Sequence, residues 1–171
     1  MEKIDMEVDD FLSYCDYKGL ATKTIRSYDQ TLKLFLQYLK DECNIKNSNQ
    51  VTETHIKNYI ANVKERGKYT VVSDSHSKKQ NIPEHRRDFG KKVSIATVNN
   101  YTRNIRVYFN YMYENRLIKI NPVQKVKVIK TPRKVKGYLD DKEMNNLFKC
   151  FDSSKFHEYR DYVITQLIFD T

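Results

Sequence analysis

Glycine and proline are scarce in this chain, with four and three copies among 171 residues, and tryptophan is absent. Turn-rich β-sandwiches and barrels use many more glycines and prolines where the chain reverses, so an all-β architecture is disfavoured. Hydrophobic residues make up 39% of the sequence, which is enough for a modest core. The composition therefore predicts an all-α protein.

Cysteine and histidine are also few, and they are not clustered. The three cysteines, Cys15, Cys43 and Cys150, form no CxxC pair, and the four histidines form no HxH or HxxxH pattern. A disulfide framework and a zinc site both require closer spacing, and no glycine-rich phosphate loop is present. We therefore expect no metal and no cofactor, and interpret the cysteines as small buried residues in a reducing compartment.

Long apolar runs are missing as well. No stretch approaches the roughly 18–20 apolar residues that a membrane-spanning helix needs. The amino terminus is acidic, whereas a signal peptide begins with basic and then apolar residues. The sequence thus predicts a cytoplasmic protein with no membrane partner.

Positive charge, by contrast, is abundant. The net charge is +9 and the pI is near 9.3. A surplus of this size on a small chain favours an anionic partner, of which nucleic acid is the commonest. The charge is also uneven: the chain is acidic up to Asp16, whereas residues 119–137 hold seven Lys and Arg residues and no Asp or Glu.

Apolar residues at helical spacing predict four helices before the basic stretch. The first covers about 6–17 and the second about 22–41, with Thr22 as a candidate N-cap. The third begins after Thr52 and the fourth after Ser94.

Two irregular segments separate the predicted elements. Residues 67–92 are polar and basic and indicate a mobile surface loop, in which the run Tyr69-Thr70-Val71-Val72 favours a short hairpin arm. Residues 119–137 contain Pro, Gly and a Val-Lys alternation that does not fit a helix, so they indicate an extended basic linker.

A new element begins after the linker. Asp140 and Glu143 have the spacing of a capping box, and a last helix that starts near Glu158 stays strongly apolar up to the end of the sequence. We therefore predict a DNA-binding domain at 1–118 and, at 138–171, the start of a second domain without its packing partners.

Two predicted helices carry polar faces that suit DNA. The face on the second helix consists of Lys23, Arg26, Gln30, Lys33 and Gln37. The face on the fourth consists of Ala96, Asn99, Asn100, Arg103, Arg106 and Asn110. Arg, Asn and Gln can read base edges in the major groove, and Lys and Thr can hold phosphates. A solvated surface explains either face alone, but both faces together with the acid-free linker favour DNA binding.

The thirteen tyrosines do not by themselves indicate catalysis. A phenol with a pKa near 10 needs a base and cationic phosphate clamps before it can act as a nucleophile. Four tyrosines recur on the fourth predicted helix, at 101, 108, 111 and 113, and this pattern predicts core or interface packing.

The order of these motifs resembles the tyrosine recombinase (phage integrase) family, specifically the integrases of phages and conjugative elements. The matching segments, in chain order, are Thr24–Tyr28 with Leu32, Phe35, Leu36 and Tyr38-Leu39, then Val51-Thr52, Ser94–Asn99 with Ile105, Tyr108-Phe109 and Tyr111-Met112, Asn121–Val123, Tyr138–Glu143 and Tyr159–Tyr162. The loop at 67–92 departs from the family pattern because it is longer than usual.

The resemblance implies a four-helix, SAM-like core-binding domain that grips one face of a recombination-site duplex, while the linker passes along the DNA to a catalytic domain. In the family, the catalytic residues follow the segment that corresponds to 161–171, so none is placed in this sequence. We therefore expect a chain that does not cleave DNA by itself. Its expected partners are double-stranded DNA and other recombinase protomers on that DNA.

The predicted DNA-contacting residues come from the two helices and the linker. They are Lys23, Thr24, Arg26 and Lys33, then Thr97, Asn100, Arg103 and Asn104, and finally Lys125, Lys127, Lys130, Arg133, Lys134 and Lys136. Two alternatives stay open. In one, the chain is a piece of an intact enzyme whose reading frame continues with Gly-x-Arg. In the other, it is a truncated helical adaptor or competitor that docks on full-length recombinase and shows little salt-dependent DNA affinity.

Overall fold

The structure, a computed structural model, describes residues 2–73, 78–79, 82–131, 137 and 139–170. Within these ranges the only β-pairing is one isolated bridge, so the all-α prediction is confirmed. The α-helices are α1 (Lys3–Tyr17), α2 (Thr22–Cys43), α3 (Glu53–Glu65), α4 (Ile95–Glu114), α5 (Asp141–Lys149) and α6 (Phe156–Asp170).

Side-chain caps mark where three of the six described α-helices begin. The side chains of Thr52, Ser94 and Asp140 each accept a hydrogen bond from the backbone N–H three residues on, at the starts of α3, α4 and α5. The prediction of Thr22 as the N-cap of α2 is wrong. Ala21 holds that position without a side-chain cap, so Thr22 is already helical.

The chain divides into two compact units, Met1–Thr131 and Pro132–Thr171. In the first unit, α1 to α4 pack around an aromatic core. Phe35 and Tyr59 pack with ring centroids 4.9 Å apart, and Phe11 meets Tyr108 edge-on at 5.5 Å. Each of these four side chains is almost fully buried, and such aromatic pairs stabilise a core beyond the area that they bury.

Residues after α4 also belong to the first unit. Ile118, Val123 and Val126 are buried, and Ile129 packs against the same core. The segment predicted as the start of the linker is therefore fixed to the helices as far as Ile129. The predicted domain boundaries stay predictions.

The loop between α3 and α4 closes at its base. Gly67 and Lys92 form an isolated antiparallel bridge, and a Cβ on Gly67 would lie 2.5 Å from the backbone of Gly90. Only glycine at position 67 allows this approach. The expected hairpin arm at 69–72 is wrong, since Tyr69 adopts a left-handed φ of 63° that interrupts an extended strand.

The second unit consists of α5 and α6. Phe148 on α5 contacts Tyr162 of α6 edge-on at 5.3 Å, and Met144 is buried. Large apolar side chains of α6 stay exposed, among them Phe156 and Ile164. None of the described helices is long and apolar enough to cross a membrane.

Candidate nucleic-acid interface

The polar face of α2 presents two cations near its start. Lys23 and Arg26 are exposed, and no carboxylate among the described residues pairs with either of them. Thr24, beside them, is half-buried. Lys33 is also exposed but donates a hydrogen bond to Asp29 at 2.9 Å. The charge of Lys33 is therefore partly satisfied within α2.

The loop residues Tyr69 to Ser73 cover part of this face. A groove between α2 and α4 is lined by Gln30 and Leu34 of α2, by Asn100 of α4 and by loop residues including Val71. Leu34 lies within the polar face of α2, yet only 7% of it is exposed. Its burial explains an apolar residue at that position, because the loop shields it from water.

Helix α4 presents Arg103 as its main exposed cation. No carboxylate in the described part of the chain pairs with it. Asn100 is half-buried on the side that faces α2. Thr97 interacts with the N-cap Ser94 at 2.9 Å and lines a different groove, together with Tyr101. The structure therefore places Asn100 near Arg103 but turns Thr97 away from it.

Asn104 is not available to DNA. Only 3% of it is exposed, and its Nδ2 donates hydrogen bonds to the hydroxyls of Thr31 at 2.8 Å and Ser27 at 3.1 Å, and to the Ser27 carbonyl. A buried amide must be hydrogen-bonded inside the protein, and this one is. The prediction of Asn104 as a DNA contact is therefore corrected: it joins α4 to α2.

Two more polar residues of α4 hold the linker. Asn99 donates from Nδ2 to the carbonyl of Ile129, and the N–H of Ile129 donates back to Oδ1 of Asn99, both at 2.9 Å. Arg106 donates to the carbonyl of Val126. These side chains were predicted to lie on the DNA-facing surface. The two side chains are seven residues apart, which places them two turns apart on one side of α4. This spacing indicated that they share a neighbour, and the sequence-based prediction missed that indication.

The fixed linker segment displays its lysines outward. Lys125, Lys127 and Lys130 are exposed while Val126 and Ile129 face the core. No carboxylate among the described residues neutralises these three lysines. The other predicted linker contacts, Arg133, Lys134 and Lys136, lie outside the described residues.

Three tyrosines of α4, Tyr101, Tyr108 and Tyr111, pack in or against the core, whereas Tyr113 is 49% exposed. Burial raises the pKa of Tyr101 and of Tyr108, and a nearby Arg66 only partly opposes this at Tyr101. The hydroxyl of Tyr108 lies 2.7 Å from Ser48 Oγ inside the core. Burial also raises the pKa of Tyr111, so these phenols stay protonated at neutral pH.

Comparisons with known proteins agree with this arrangement. Residues 8–77, from α1 into the loop after α3, match the family model "Phage integrase, N-terminal SAM-like domain". The chain is 27% identical to "Tyrosine recombinase XerC" of Bacillus subtilis (strain 168) over 145 residues, which cover 82% of this chain and 46% of that protein. It is 20% identical to "Tyrosine recombinase XerD" of Oceanobacillus iheyensis over 169 residues, which cover 98% of this chain and 48% of that protein.

The chain thus spans about half the length of the curated relatives it matches. No solved structure matches it.

Proposed function

We propose that this chain, which is similar to tyrosine recombinases, binds double-stranded DNA as the amino-terminal part of a site-specific recombinase of a mobile element. Further recombinase protomers on the same DNA are its proposed protein partners. The proposal assigns no catalytic residue to the chain.

The position of Arg103 carries this proposal. At 100° per residue, Arg103 lies about 40° around α4 from Asn99, which holds the linker, and about 60° from Asn100, which faces α2. The Arg103 guanidinium, which pairs with no carboxylate among the described residues, therefore lies between α2 and the basic linker. On α2, Lys23 lies about 40° around the helix from Ser27, the residue that contacts Asn104.

Helix α4, helix α2 and the linker would contact different parts of the duplex. Arg103 and Asn100 suit the edges of guanine and adenine in the major groove. Lys23, Thr24 and Arg26 would contact phosphates on one side of α4. The linker lysines would contact phosphates on the other side, and these contacts fix the orientation of α4 on the duplex.

A salt titration of DNA binding tests the proposal. The chain is titrated into a fluorescently labelled duplex of a few helical turns, and anisotropy is followed at several salt concentrations. We expect log K to fall with log salt, with a slope of about −0.9 for each phosphate that is neutralised. Arg103→Glu should weaken binding at every salt concentration, whereas Lys3→Glu, the same change on the acidic helix α1, should not.

Two results would contradict the proposal in different ways. Equal weakening by both variants would show that net charge, rather than the position of Arg103 on α4, controls binding. No binding to any duplex at low salt would exclude DNA as the partner.

A second candidate function is suggested by α6. Its side chains Phe156, Tyr159 and Ile164 are exposed by 81%, 51% and 47%, and an exposed apolar group of this kind is typical of a protein-binding surface. The chain would then act as an adaptor or competitor that docks on a full-length recombinase. Sedimentation velocity of a mixture with such a recombinase, without DNA, distinguishes this candidate: only a docking adaptor forms a complex.

A further inference from the structure

The long loop between α3 and α4 is held firmly where it leaves and rejoins the helices. The N–H of Lys68 donates to the carbonyl of Lys91 at 2.8 Å, and the N–H of Gly90 donates back to the carbonyl of Lys68 at 3.0 Å. Nearby, the guanidinium of Arg86 stacks 4.2 Å above the ring of Tyr69. These contacts join the two ends of the loop into one structured base.

The same base is anchored to the proposed DNA-binding surface. Val71 and Tyr69 line the groove that contains Leu34 and Asn100. Because Leu34 is apolar and buried there, displacing the loop would expose it to water. The geometry therefore favours a loop that stays in place beside α2 and α4 when DNA binds.

Cations at this base differ in how they are neutralised. Asp88 accepts hydrogen bonds from Lys68 at 3.3 Å and from Arg86 at 3.5 Å, and these partners lower the pKa of Asp88 although burial opposes them. Arg87, Lys91 and Lys92 are exposed, and no carboxylate among the described residues pairs with them. We call these three residues the loop cluster.

The loop cluster is continuous with the linker surface. Lys92 stands two residues before Ser94, the N-cap of α4. It also lines a groove that contains Ile129, whose neighbour in sequence is Lys130. Lys64 and Glu65 of α3 line the same groove. The lysines that run from the linker past the start of α4 into the loop are therefore interrupted there by one carboxylate, and the start of a helix itself favours anions.

We propose that the loop cluster is a second phosphate-contacting site that extends the DNA interface beyond α2, α4 and the linker. This inference rests on the proposed function, because it names an additional contact on the same duplex. The contact would be independent of sequence, since point charges on phosphates carry no base information.

The test compares two triple variants in the anisotropy titration. One carries Arg87→Gln, Lys91→Gln and Lys92→Gln, which leave the backbone hydrogen bonds of the loop base intact. The matched control carries Lys3→Gln, Lys18→Gln and Lys46→Gln, which remove the same charge around the acidic helix α1. Thermal melts followed by circular dichroism are used to check that both variants fold like the wild type.

We expect the loop variant to bind more weakly and to show a shallower salt dependence. The slope should lose about 0.9 for each phosphate contact that is removed. The loss should be the same on duplexes of unrelated sequence, and the control should keep the wild-type slope.

Failure of this inference can be told apart from failure of the proposed function. If the wild type binds duplex DNA and Arg103→Glu weakens binding, but the loop variant keeps the wild-type slope, only the loop cluster is excluded. If the loop and control variants lose slope equally, the effect is one of net charge and the loop cluster is likewise excluded. If the wild type binds no duplex, both proposals fall.

Discussion

Nδ2 of Asn104 in α4 donates a hydrogen bond to Oγ1 of Thr31 in α2 over 2.8 Å, and both residues are buried. The Thr31 hydroxyl in turn donates to the carbonyl of Ser27, one turn earlier in α2. This polar connection joins the two helices that carry the proposed DNA-binding residues. It therefore fixes the distance between their exposed faces.

Asn104 and Asn100 should show opposite effects when each is replaced by alanine. Asn104→Ala leaves buried hydrogen-bonding groups without a partner, so it should lower the free energy of unfolding by roughly 1–3 kcal/mol in urea titrations. Asn100→Ala removes a half-exposed side chain and should weaken DNA binding with little loss of stability. A stable Asn104→Ala protein with impaired DNA binding would show that our correction at Asn104 is mistaken.

The pair of hydrogen bonds between Asn99 and Ile129 should control the order of the linker. Asn99→Ala removes both bonds and should destabilise the docked segment by about 1–2 kcal/mol. Hydrogen exchange measured by mass spectrometry should become faster across residues 126–130. Asn115→Ala serves as the control, because the exposed Asn115 amide donates to the Tyr111 carbonyl of α4 and to no other acceptor among the described residues. Comparable acceleration in the control would contradict the assignment.

Glycine at position 67 should be required for closure of the loop. A Cβ there would lie 2.5 Å from the Gly90 backbone, so Gly67→Ala should cost about 1–3 kcal/mol through forced backbone movement. Gly137→Ala places its Cβ in open space and should change the free energy of unfolding by less than about 0.5 kcal/mol. Thermal denaturation of both variants checks the difference, and an unaffected Gly67→Ala protein would refute the closure.

Acid should weaken the contact between α1 and α2. Burial by itself would raise the pKa of Asp5, but hydrogen bonds from Lys40 and from the Glu2 N–H hold it below its ordinary value. A lowered folded-state pKa stabilises the protein above the unfolded value of about 3.9, and this contribution is lost as the pH falls through the folded-state pKa.

Asp5→Asn should therefore lower the free energy of unfolding by about 1 kcal/mol at pH 7. The difference from wild type should begin to shrink as the pH falls below about 3.9 and should disappear below the lowered folded-state pKa of Asp5. Urea denaturation across this pH range measures it. Asp9→Asn, at an exposed carboxylate of α1 that no described cation pairs with, should show no such dependence. A difference at Asp5 that persists at low pH would contradict the ionic origin.

Local patterns in the sequence were sufficient to predict the helices and to identify where α3, α4 and α5 begin. The apolar spacing of α1 to α4, and the caps Thr52, Ser94 and Asp140, depend on residues within a few positions of one another. Hydrogen bonds at such short separations form wherever the local sequence allows them. For the same reason, the sequence identified Arg103 and the linker lysines as cations without nearby acids.

Tertiary structure decided which polar residues remain available for DNA. A helical wheel gives the direction of Asn99, Asn100 and Asn104 around α4, but it does not say what lies opposite each of them. Their partners are 30 residues away at Ile129 for Asn99 and 73 away at Thr31 for Asn104. Likewise, the burial of Leu34 depends on Val71 and its neighbours, in the loop that follows α3. The spacing of residues on a helix does not say which distant segment packs against each of its faces, so only the packed chain determines these partners.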